Sequence, residues 1–181
     1  KTVHYRRRQS TWALHEPSSL KWSPLLKEGT GSPWLHVTGI TPLISAASLE
    51  SWRNVLAVAA KASVPTSLDL NHRKQLGSLE ELWAIVAPHA AMFEVLILSL
   101  EQLNGLAALQ LGDGAPLSDD DDDDACAGVM ARLHALWKCR RVALCRKSRD
   151  AHGVQRRWSL MTELQVHENG AARGGGAPVV H

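Results

Sequence analysis

The run FEVLILS, residues 93–99, constrains the fold of this chain more than any other stretch. It is a near-continuous apolar run, and such a run reads as a parallel strand buried on both faces. Strands of that kind need helices over them, because the crossovers between parallel strands lay helices on the sheet. FEVLILS therefore predicts an α/β domain.

The segments around it agree. PWLHVTGI is a second buried strand, rich in bulky and β-branched residues, ending at Gly39. In SLDLNHR, Leu68 and Leu70 share one face of a strand while Ser67, Asp69 and Asn71 share the other, and Arg73 follows just past its end. ISAASLESWRNVLAVAAKAS places Leu49, Trp52, Leu56, Ala59 and Ala60 near helical spacing, with Pro65 beyond as a stop. A second helix runs from Ser78 to about Pro88, with Ser78 and Glu81 spaced as a capping box. LEQLNGLAAL and CAGVMARLHALWKC are further helices, and RRVALCRK and VQRRWSLMTELQVH are strands. SSLKWSPLLKEG reads as a turn and short helix, and the alternating TVHYRRR as a polar basic strand at an edge or in an accessory sheet. Strand and helix alternate, with crossovers long enough for right-handed βαβ units, so the sheet is expected to be mostly parallel.

Composition narrows the function. With 181 residues, 45% of them hydrophobic, the chain can build one core. A net charge of +2 gives no electrostatic instruction, and the basic clusters lack a nucleic-acid motif or aromatic interleaving, so no nucleic-acid partner is expected. Three widely spaced cysteines without a CxxC pair fit a reducing compartment. No apolar run approaches the ~20 residues of a membrane span. KTVHYRRRQS begins without Met or a secretory signal and already strand-like, so a piece of something longer is expected.

Polar residues converging at the carboxyl end of a strand are what a ligand site in an α/β protein looks like. Asp69, Asn71 and Arg73 have that placement: Arg can hold a carboxylate bidentately and Asn can bond a hydroxyl. The alternative is that Asp69 caps a nearby backbone group and Arg73 faces solvent. In HYRRRQS, a strand would put His4 and Arg6 on one face, as a lid over a sugar, or would simply form a charged edge that resists aggregation. Gly39 permits close approach of a ligand or of another chain, or simply serves a strand-to-helix turn. The six aspartates Asp119–Asp124 are read as a solvated loop insertion, since a homopolymer does not fix calcium geometry. ARGGGAP lacks the Lys-Ser and helix of a P-loop, and the nine histidines form no metal-binding pattern.

VHYRRRQS, WLHVTGITPLIS, SLDLNHRKQLGSLEELW, VLILSLEQL and GVQRRWS together resemble, in order, segments of the PfkB (ribokinase-like) carbohydrate kinases, most nearly the 2-keto-3-deoxygluconate kinase branch and its plant relatives. The resemblance implies a ribokinase-like fold: a mostly parallel sheet flanked by helices, with part of a small β lid at residues 1–12. The partial α/β domain would fill 13–181, with a loop insertion at 112–125. It implies ATP-dependent phosphorylation of a sugar or sugar acid by the intact protein, with Mg2+ on the phosphates. His4, Arg6, Gly39, Asp69, Asn71 and Arg73 would bind substrate. Ser99, Cys145, Lys147 and Gly153 would line the nucleotide site. The family's N-x-x-E element reads S-L-E-Q at residues 99–102, leaving Glu101 as the metal candidate. The GAGD motif with its catalytic Asp would lie beyond His181 and an early Gly-Gly segment before Lys1. The resemblance is therefore to the middle of a kinase, incomplete at both ends and inactive alone. A fructokinase-like neutral-sugar kinase and a catalytically dead binding or scaffold protein are the alternatives. An intracellular location, cytoplasmic or plastid, and a homodimer formed through the lid are compatible with the resemblance.

Overall fold

The structure is a computed structural model, and it describes residues 5–27, 32–112, 116–118, 123–149, 155–163 and 179–180. Six strands form one sheet in sequential order: β1 (Leu35–Thr38), β2 (Thr66–Asp69), β3 (Phe93–Ser99), β4 (Arg141–Arg149), β5 (Gln155–Glu163) and β6 (Val179–Val180). β1 to β4 are parallel to one another, and β5 and β6 are antiparallel additions. The α/β expectation and each strand predicted from residue 32 onward are met.

The helices are α1 (Thr11–Leu14), α2 (Trp22–Lys27), α3 (Ala46–Lys61), α4 (Leu79–Val86), α5 (Leu100–Leu111) and α6 (Asp123–Trp137). α3 starts on Ser45, whose hydroxyl accepts from the Ser48 amide, and buries Trp52, Val55, Leu56 and Ala59. α4 has the capping box read from the sequence: the Ser78 hydroxyl accepts from the Glu81 amide and the Glu81 carboxylate accepts from the Ser78 amide.

Partners across the parallel strands share a face. Val37, Leu68, Leu96, Leu98, Val142 and Leu144 lie on the side that packs into the core with Leu56, Leu82, Leu103, Leu106 and Met130 of the helices. Val95 and Ile97 point the other way and stay half-buried. FEVLILS is therefore covered tightly along one face, while on the other only Phe93 at its start is fully buried, not the whole face as its apolar run predicts. Periodicity reports that side chains are apolar, not what covers them.

Two further expectations change. The alternation in TVHYRRR predicts a strand, but residues 1–4 lie outside the described residues and Arg7–Gln9 form a 3-10 turn. The cause is local: the Ser10 hydroxyl donates to the Arg7 carbonyl at 2.6 Å and accepts from the Ala13 amide at 3.2 Å, capping α1. The loop insertion expected over 112–125 also ends early. Asp123 and Asp124 already form the first turn of α6, where carboxylates favour the positive end of the helix dipole.

Gly39 explains itself here. Its amide donates to the Asp69 carbonyl at 2.9 Å, and a Cβ at this position would sit 2.2 Å from the Leu70 carbonyl oxygen. The close approach seen here is to the backbone of the neighbouring strand of the same chain.

Candidate functional site

The carboxyl ends of β2, β3 and β4 open onto one cleft of about 520 Å³, lined among others by Asp69, Asn71, Arg73, Ser99, Glu101 and Cys145. Six residues singled out from the sequence are thus brought together. Strand register explains why: Asp69 is paired with Ile97, and Ser99 with Cys145, so the three strand ends finish side by side.

Asp69 and Asn71 shape the rim. One Asp69 carboxylate oxygen accepts from the Asn71 amide at 3.0 Å, an Asx turn. Asn71 sits at φ 39, a left-handed backbone that asparagine tolerates. The turn redirects the chain so that Arg73 leaves the strand end toward solvent. Beyond it the His72 imidazole donates from Nε2 to the Gly77 carbonyl at 2.9 Å, closing the loop that carries Arg73.

Arg73 also lines a second, neighbouring cavity of about 880 Å³, together with Tyr5, Arg6, Arg7, Arg8 and Gln9. A hydrogen bond of 2.8 Å from Arg8 to the Leu76 carbonyl ties the amino-terminal segment to the loop after β2. Arg6 and Arg73, matched from the sequence as a carboxylate-binding pair, therefore face one cavity. Arg7 was missed because a strand would send it to the opposite face from Arg6, whereas Arg8 shares the face of Arg6 in a strand and could have been read from the same alternation. The 3-10 turn removes that alternation.

Ser99 proves to be the N-cap of α5. Its hydroxyl accepts from the Gln102 amide at 3.4 Å, and Gln102 Oε1 accepts from the Ser99 amide at 2.9 Å. The S-L-E-Q segment is a capping box, a pattern legible in the sequence itself. Cys145, exposed at the cleft, has its thiol pushed above its ordinary range, first by the desolvation of its partly enclosed sulfur and then by the nearby Asp69 carboxylate. Arg146, missed from the sequence, lines the cleft from the buried side of β4, with its guanidinium 3.0 Å from the Cys126 sulfur and 3.5 Å from Asp123. The backbone of Lys147 lies on β4 opposite Arg157 of β5. His4 and Gly153 lie outside the described residues.

Glu101 forms an exposed ion pair with Lys74 at 2.7 Å, which holds its carboxyl below the usual range. One Asp69 oxygen is engaged with the Asn71 amide. Among the described residues no three metal-ligating side chains cluster. The carboxylates at this cleft do not fit a magnesium site held by the protein.

No protein-family model and no curated protein matches the chain. Solved structures do. A 2-dehydro-3-deoxygluconokinase from Thermotoga maritima is 22% identical over 82% of this chain and 42% of that one, with a TM-score of 0.66. A PfkB protein from Polaromonas sp. JS666 is 21% identical over 97% of this chain and 50% of that one, with a TM-score of 0.63. A putative 2-keto-3-deoxygluconate kinase from Enterococcus faecalis is 14% identical over 88% of this chain and 45% of that one, with a TM-score of 0.66. The chain thus spans about half the length of the solved structures it matches. The likeness is one of fold, and it is the ribokinase-like fold that the sequence resemblance implied. Among the described residues no helix is long and apolar enough to cross a membrane.

Proposed function

We propose that this chain is part of an ATP-dependent carbohydrate kinase, acting in its full-length form on a sugar acid of the 2-keto-3-deoxygluconate type. The observation that carries the proposal is the position of Arg73. It lines both the cavity that holds Arg6 and the cleft at the ends of β2, β3 and β4. A sugar acid gripped by Arg6 and Arg73 would extend its hydroxyls toward that cleft, where the nucleotide's phosphates approach.

The roles follow from side-chain chemistry. Arg6 and Arg73 supply fork-shaped donors to the carboxylate. Asn71, held by Asp69, offers both a donor and an acceptor to a hydroxyl. Cys145 and the α5 N-terminus behind Ser99 line the phosphate side, with Ser99 contributing through its cap. Phosphoryl transfer depends on positioning and charge stabilisation more than on covalent chemistry, and this span supplies positioning. Magnesium would arrive with the nucleotide and offset charge on its phosphates. Turnover belongs to the full-length protein; a lid-mediated dimer and the residue boundaries of the lid remain part of the proposal.

A second reading, a kinase-like protein that binds without transfer, is favoured by the capping box at Ser99 and the Lys74 pair at Glu101. Calorimetric titration of the full-length protein separates the two. Binding of both Mg-ATP and sugar acid supports the kinase; binding of sugar acid with no nucleotide supports the second reading.

A further inference from the structure

The cavity beside Arg73 carries more positive charge than one carboxylate can use. Arg6, Arg7, Arg8 and Arg73 all line it, and no aspartate or glutamate does. The ion pairs elsewhere use other cations: Lys74 with Glu101, Arg140 and Arg141 with Glu94 and Glu163, and Arg146 with Asp123. Among the described residues none of the four arginines meets a carboxylate.

Two of the four are also held in place. Arg7 lies 4.0 Å from the centre of the Tyr5 ring, a stacked arrangement that orients its fork without neutralising it. Arg8 gives one amino group to the Leu76 carbonyl at 2.8 Å, an interaction that leaves its charge in the cavity. Four like charges gathered in one concavity repel one another, and a single carboxylate offsets one of them. The two chain segments that supply them, residues 6–8 and the loop after β2, form the cavity from different sides.

We infer that this cavity binds a sugar acid carrying a second anionic group, a further carboxylate or a phosphate ester, with Arg73 and Arg6 on one group and Arg7 with Arg8 on the other. The inference rests on the proposed sugar-acid site and specifies its substrate class. Arginine suits either anion, because its planar donors match both carboxylate and phosphate oxygens.

A charge ladder on one carbon skeleton tests it. The full-length protein is titrated calorimetrically, at fixed ionic strength, with glucitol, gluconate, glucarate and 6-phosphogluconate, and with inorganic phosphate alone. Gluconate should bind at least tenfold more tightly than glucitol. Either glucarate or 6-phosphogluconate should bind at least tenfold more tightly than gluconate, and whichever gains identifies the second group. In Arg7→Gln that last gain should vanish while gluconate affinity holds. Equal binding of gluconate, glucarate and 6-phosphogluconate overturns the inference and leaves the sugar-acid site standing. A gain from the second anionic group that survives in Arg7→Gln, or is matched by inorganic phosphate alone, also overturns it. Failure of gluconate to exceed glucitol overturns the sugar-acid reading itself.

Discussion

The Asp69 carboxylate accepts a hydrogen bond from the Asn71 amide at 3.0 Å, and this contact holds Asn71 in a left-handed backbone at the mouth of the cleft. Asp69 thus caps the backbone, and the turn it makes leaves Arg73 exposed on the wall of a cavity. Asn71→Ala should destabilise the fold by about 1–2 kcal/mol, because alanine resists the left-handed region, while Asn71→Gly should cost much less. Urea denaturation of the two variants makes the comparison.

Gly39→Ala should be far more damaging. The new methyl would lie 2.2 Å from the Leu70 carbonyl oxygen, a backbone atom pinned by the Leu70 amide's bond to Ile97. Overpacking of this kind typically costs about 1–3 kcal/mol or more, and here β1 and β2 must separate. A drop in thermal midpoint, with the loss of ligand binding that follows from a displaced Asp69, is the expected outcome.

Ser99 separates capping from nucleotide contact. Ser99→Ala should cost about 1 kcal/mol of stability through loss of the cap, and Ser99→Asp should recover most of it. If instead stability is unchanged and only ATP affinity falls, Ser99 is a direct ligand contact.

Cys145 reports on the cleft by its pH dependence. Burial and Asp69 both raise its thiol pKa above the ordinary 9.0, so the reactive thiolate is scarce at neutral pH. Iodoacetamide should label it slowly at pH 7 and increasingly fast as pH rises beyond 9. Asp69→Asn removes the carboxylate's share of the shift and should speed labelling at any fixed pH below that range. Cys139 is buried, with its thiol pushed up to about 12, and should stay unlabelled in the folded protein. Nucleotide in the cleft should protect Cys145.

Much of the fold was legible because hydrophobic period and burial coincide. Leu68, Leu70, Leu96 and Leu98 occupy the core as their alternation requires, and Ser78 caps α4 where its spacing with Glu81 places it. The strand-end trio was legible too, since parallel strands bring their carboxyl ends to one side. HYRRRQS was not, because a basic alternation has no apolar face to fix its period; the Ser10 cap and the Arg8–Leu76 bond decide its shape. The half-buried state of Val95 and Ile97 was equally hidden, since it depends on what lies over the sheet. At Ser99 the cap was legible in the S-x-x-Q spacing, whereas contact with a nucleotide depends on the cleft around it, which that spacing does not describe.

The central claim is that Arg73 links a sugar-acid pocket to a phosphate cleft. The most direct measurement is transfer of labelled γ-phosphate from ATP to 2-keto-3-deoxygluconate and to fructose by the full-length protein and its Arg73→Ala variant. The account predicts transfer to the sugar acid, with its KM raised in the variant by a loss of about 1.5–3 kcal/mol of binding, at least tenfold. Absence of transfer to either acceptor, or a sugar-acid KM untouched by Arg73→Ala, would contradict it.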